Sequence, residues 1–239
     1  MIRVLRRVPA WVWLAGLVLL SFGLRLALSR HFPSPWIFND ELTYIERTRS
    51  FVEEGSFDVR GEQIGGLSRV YPVLLAPAYA LFDSQTAAYA AAKATNAALV
   101  SLAAVPIYLL ARRLVRPSLA LLAAALSLAL PALFFSSIVM TESAFYLLSP
   151  LVAYALVLTL ERPTALRQLV LLALCTVAFL TRTEALALGP AVLTATVLVA
   201  LAPSRAAASG ARLRAFLARV ADFLLLWIVI VVGGVAAVL

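Results

Sequence analysis

The chain has 239 residues, of which 63% are hydrophobic and only 13% charged, with a mean hydropathy of +0.98. That apolar content, far above the roughly half-apolar usage of soluble domains, excludes an ordinary water-soluble fold and predicts a polytopic membrane protein. The net charge of +8 does not point to nucleic acid, because the basic residues cluster in short links between apolar runs.

Arg3, Arg6 and Arg7 precede an apolar run from Pro9 to Leu28. At about 20 residues the run exceeds the roughly 7–15 of a signal-peptide core, so it reads as an uncleaved first span with its basic end in the cytoplasm. Arg25, near the far end of that run, either snorkels toward water or binds an anion.

Residues 30–85 form a large polar loop. It holds eight of the twelve acidic residues when counted to Asp83, and its working part opens with Asp40-Glu41. Asn39 or Asp40 is a suitable N-cap for a helix over 41–54 that Gly55 ends. Leu42, Ile45, Phe51 and Val52 lie on one side, with Glu46, Arg47, Arg49, Ser50 and Glu53 on the other, which predicts an amphipathic interfacial helix. Gly61, Gly65 and Gly66 mark a flexible loop. The apolar piece from Tyr71-Pro72 to Phe82 is too short to span and reads as interfacial or re-entrant.

Thr86–Leu110 is a second span, closed by Arg112, Arg113 and Arg116. Leu119–Leu160 lacks Lys and Arg and would reach roughly 63 Å as one helix, about twice a hydrocarbon core. It must fold back, and the polar positions Ser136-Ser137 and Thr141-Glu142-Ser143 mark the turn. Gln168–Pro203, roughly 54 Å if straight, breaks at Thr181-Arg182-Thr183-Glu184 or at Gly189-Pro190. A basic stretch from Arg205 to Arg219 leads to a last span from Val220 to Leu239. The expectation is therefore an all-α membrane protein of about seven spans.

With the N-terminus inside, the predicted cytoplasmic segments hold twelve bases against Glu161 and Asp222, as the positive-inside rule requires. Asp40-Glu41, Glu142 and Arg182-Glu184 then share the extracytoplasmic side. Carboxylates at a membrane edge are costly unless they face water, a cation or a substrate, which makes each a candidate. Bland readings stand beside them: Asp40 as N-cap, Glu41 as solvated neighbour, Glu142 as helix cap, Arg182 pairing with Glu184, and Lys93 snorkelling. Cys175 reads as a core thiol and His31 as an interface residue.

The order of a first span, a large loop opening with Asp-Glu, an amphipathic helix, a Tyr-Pro apolar piece and paired spans resembles the GT-C glycosyltransferases. The branch is that of protein O-mannosyltransferases and bacterial aminoarabinose transferases. The stretches that carry the resemblance are FNDELTYIERTRSF at 38–51, YPVLLAPAYALF at 71–82, MTESAFY at 140–146 and FLTRTEALALGP at 179–190. The resemblance implies an N-terminal seven-span module of a longer chain, in the cytoplasmic membrane of a cell envelope. It implies inverting transfer of a hexosyl or pentosyl group from a polyprenyl-phosphate donor to an acceptor hydroxyl. Asp40 would be the catalytic base with Glu41 in support, Glu142 would hold acceptor or metal, and Arg182, Lys93 and Arg25 would bind the donor phosphate. A divalent cation between Asp40 and Glu142 is the one cofactor it implies. The competing readings are a transporter or flippase using Glu142, Glu184 and Lys93, and a non-catalytic scaffold that binds partner helices.

Overall fold

The structure is a computed structural model that describes residues 8–35, 39–62, 68–130, 136–202 and 216–238, the last five by backbone alone. The basic residues Arg3, Arg6, Arg7, Arg205, Arg212 and Arg214, and the pair Gly65-Gly66, lie outside this set. Among the described residues the regular structure is helical, apart from an isolated bridge between Val59 and Glu62.

Among the described residues the principal α-helices are α1 (Ala10–Ser29), α2 (Asn39–Glu54), α3 (Val70–Leu81), α4 (Gln85–Leu102), α5 (Ala104–Ala111), α6 (Pro117–Leu128), α7 (Glu142–Glu161), α8 (Ala165–Thr181), α9 (Leu188–Leu201) and α10 (Leu224–Val238). A 3₁₀ turn over Thr183–Ala187 leads into α9. Among the described residues four stretches are long and apolar enough to cross a membrane: Ala10–Ser29, Gln85–Ala111, Glu142–Glu161 and Thr183–Leu201. The apolar helices α3, α6, α8 and α10 are shorter. The four long stretches correspond to four of the seven expected spans, and among the described residues the other three expected positions are occupied by the shorter apolar helices α6, α8 and α10.

The local signals act as their chemistry requires. The Ser84 side chain caps α4 by accepting from Ala87 N–H at 3.1 Å. Pro117 sits in the first turn of α6, where its missing N–H costs nothing. Gly55 ends α2 at φ +69°, a left-handed conformation that glycine adopts without strain. Helix α2 begins at Asn39, so Asp40 and Glu41 occupy its first turn rather than a cap.

Two compact units are present: residues 1–151 with 180–182, and residues 152–179 with 183–239. In the first, α1 packs on α4, α5 and α6, while α2 lies on α3 and α3 on α4. Ile45, Tyr71, Leu75, Tyr89, Ala92 and Val139 form one core, and Leu14, Ala104 and Ala124 a second. The alanines of α4, among them Ala88, Ala92 and Ala97, are buried and allow the close backbone approach that helix packing in lipid favours. In the second unit, the buried amide of Gln168 donates to the carbonyls of Pro163 (3.0 Å) and Asp222 (2.8 Å) and accepts from Leu226 N–H (3.3 Å). Gly189 admits Ile230 closely, since a Cβ there would meet Ile230 Cγ2 at 3.3 Å. Cys175 is half-buried in α8 rather than a core thiol.

Candidate functional site

The break between α6 and α7 organises the polar residues of the first unit. Irregular backbone near a bilayer must find its hydrogen-bond partners inside the protein. Helices α2 and α4 supply them, and α1 reaches a side chain of the break. Arg25 of α1 donates to Ser136 Oγ at 2.9 Å, Asn96 of α4 donates to the Ile138 carbonyl at 2.7 Å, and Glu41 Oε1 of α2 accepts from Val139 N–H at 2.8 Å.

Glu41 has no exposed surface, and the same Oε1 accepts from the Tyr89 hydroxyl at 2.7 Å. It is therefore not the solvated neighbour of the bland reading, since its carboxylate fastens α2 to α4 and to the break. Asp40, one residue earlier, is exposed. A step of 100° around the helix separates the two acids, one into the protein and one toward solvent.

Tyr44 lies one turn after Asp40 on the same face of α2, and its ring meets Tyr71 edge-on with centroids 5.4 Å apart. Tyr71 is fully buried, and burial pushes its hydroxyl well above the ordinary phenol value, so it stays a donor, here to Asn96 Oδ1 at 3.0 Å. Glu142 begins α7 and pairs with Arg182 at 2.5 Å. Its other oxygen, Oε2, is shielded from solvent and meets no hydrogen-bond partner, as does the neighbouring Ser143 hydroxyl. Ser68 Oγ donates to the Thr181 carbonyl (2.8 Å) and Arg69 N–H to that of Leu180 (2.9 Å), so the polar loop fixes the backbone that carries Arg182.

The other two basic candidates have structural partners. Lys93 is buried, and its ammonium donates to the Ser29 carbonyl at 2.8 Å and to the Phe32 carbonyl, with the Tyr89 ring 4.7 Å away. It closes the C-terminal end of α1, where a cation also suits the helix dipole, so it does not snorkel. Arg25 donates Nε to Ser21 Oγ (3.3 Å) and Nη2 to the Leu128 carbonyl (2.9 Å) as well as reaching Ser136. These bonds hold its guanidinium in the wall of an apolar groove of about 540 Å³ between α1 and α6, lined by Leu17, Leu24, Leu28 and Leu128 among others. Pattern reading could not find that groove, because its two walls are about a hundred residues apart in sequence.

The residues do not fit a divalent cation. Among the described residues no three His, Cys, Asp or Glu side chains gather as metal ligands, and one oxygen of Glu142 is already held by Arg182. The structure brings Glu142 and Arg182 together, and it joins Glu41 to the break and Lys93 to α1. His31 is exposed near the end of α1. The described fold is that of a helical protein with membrane-spanning segments and a polar loop packed on them. Comparison of the chain with protein-family models, curated proteins and solved structures returns no match.

Proposed function

We propose that the chain is a membrane glycosyltransferase module of the GT-C type, acting on a polyprenyl-phosphate-linked sugar at the extracytoplasmic face. In this reading α1, α4–α5, α6, α7, α8, the 3₁₀ turn with α9, and α10 supply seven crossings, and the N-terminus is cytoplasmic. The observation that carries the proposal is the apolar groove along α1 with the Arg25 guanidinium in its wall. A long isoprenoid chain suits such a groove, and a guanidinium is a natural partner for the phosphate at its end. Asp40, exposed at the start of α2, is the base. It takes the acceptor hydroxyl proton as the acceptor oxygen bonds to the anomeric carbon. The bond from that carbon to the phosphate oxygen breaks, polyprenyl phosphate leaves, and a single displacement inverts the centre. Arg182, held by Glu142, supplies positive charge for the leaving phosphate. The transporter alternative loses support from Lys93, whose ammonium is committed to backbone carbonyls.

A photoreactive polyprenyl phosphate tests the groove. Cross-links should concentrate on peptides of α1 and α6, fall with unlabelled polyprenyl phosphate as competitor, and fall again in Leu24→Trp, which fills the groove. Labelling spread evenly over lipid-facing helices and indifferent to competitor would overturn the proposal.

A further inference from the structure

A second, smaller cavity lies on the other side of α2. It measures about 210 Å³ and is walled by the 33–35 segment, by Leu42, Ile45, Glu46 and Arg49 of α2, by Tyr79 of α3, and by Gln85, Thr86 and Tyr89 of α4. In α2, at 100° per residue, the four wall residues fall within an arc of roughly 100°, and Asp40 lies opposite it. The cavity is therefore separate from the face that carries Asp40 and Tyr44.

Its size and lining restrict what it can hold. It is smaller than the roughly 300–1,000 Å³ of pockets that engulf drug-sized ligands, so it suits one small ring rather than a chain. Its two charged wall residues oppose each other: Glu46 and Arg49 stand 4.0 Å apart, and Arg49 also reaches Glu53 at 3.7 Å. A wall that balances its own charge gives no net attraction to an anion, which argues against phosphate or a carboxylic acid. Gln85 and Thr86 add exposed groups that both donate and accept. Leu42, 46% exposed, and the tyrosines add apolar surface. The Tyr79 hydroxyl, kept protonated by burial and by the Glu41 carboxylate, has no hydrogen-bond partner, whereas that of Tyr89 is committed to Glu41. Hydroxyl-binding groups on the rim and flat apolar surface within are the complement of a pyranose, which is polar at its edge and apolar on its C–H faces.

We propose that this cavity binds one neutral sugar ring and serves as a recognition subsite for a carbohydrate acceptor. Its role as an acceptor subsite rests on the transferase reading, and the binding itself does not. Because Asp40 lies on the opposite face of α2, the ring bound here is a neighbour of the sugar that is glycosylated, which makes the acceptor a glycan rather than a protein hydroxyl.

The test is saturation-transfer NMR on the full chain in lipid nanodiscs, which avoids glycoside detergents. The probes are the methyl glycosides of mannose, glucose and galactose, with inorganic phosphate tested as competitor. At least one glycoside should receive saturation above empty nanodiscs. The signal should fall at least severalfold in Leu42→Trp and in Gln85→Trp, at unchanged melting temperature, and persist in Asp40→Asn and in the presence of phosphate. No glycoside signal, or a signal that survives both tryptophan variants, overturns the proposal. Sugar transfer without glycoside binding removes the cavity but leaves the transferase reading. Binding without any transfer keeps the sugar site and removes the transferase reading instead.

Discussion

Replacing Glu41 tests whether this acid is structural. Its carboxylate is buried and accepts from Tyr89 O–H at 2.7 Å and Val139 N–H at 2.8 Å. Hydrogen bonds to a charged group contribute about 1.5–3 kcal/mol each, so the two amount to about 3–6 kcal/mol gross. Alanine also relieves the cost of burying a carboxylate, which leaves a net loss of about 2–4 kcal/mol. For a chain of this size that is a fall of roughly 5–15 °C in melting temperature. Tyr89→Phe removes one of the two bonds and should cost about 1–2 kcal/mol. The double variant should be less destabilised than the sum, with a coupling of about 1–2 kcal/mol. The assay is unfolding in detergent followed by circular dichroism for the wild type, both single variants and the double. A Glu41→Ala protein that melts within about 2 °C of wild type would refute the assignment of Glu41 to the break between α6 and α7, and a coupling of zero would refute its bond to Tyr89.

Two further predictions probe other joints of the structure. Lys93→Met should lower the melting temperature by roughly 3–8 °C, because the Ser29 and Phe32 carbonyls at the end of α1 lose their donor; an unchanged melting temperature with weakened donor binding would return Lys93 to the phosphate role. Gly55→Ala should cost about 1 kcal/mol by denaturant titration, purely from the left-handed backbone, since an added Cβ meets nothing within 4 Å; a neutral result would mean that α2 can end in another conformation.

Much of the helical order was legible because length and charge constrain an apolar chain. The stretches 119–160 and 168–203 were too long for single helices, and their breaks fall at the serines near 136 and at Arg182. The partners of the polar residues were not legible, because they are set by packing. Asp40 and Glu41 are equivalent in a hydropathy pattern, yet one is exposed and the other sealed. Arg47, expected on the wet face of an amphipathic helix, is buried, while Leu42 on the apolar side is half-exposed. Glu41 and Thr48 are buried beside Ile45 on one side of α2, so its inner surface is partly polar and a hydropathy pattern does not delimit it. Arg182 is held at 2.5 Å by Glu142, forty positions earlier. Neither that pair nor the groove beside Arg25 leaves a trace in local spacing.

In the proposed reaction Asp40 removes a proton from an acceptor during sugar transfer from a lipid phosphate. The most direct measurement compares membranes containing the wild-type chain with membranes containing Asp40→Asn, each supplied with polyprenyl-phosphate sugars and cell-envelope acceptors, with products followed by mass spectrometry. A glycosylated product is expected from the wild type and, because Asp40 is exposed and outside the core, none from a variant that is equally well inserted and folded. Equal product from both would contradict this role of Asp40.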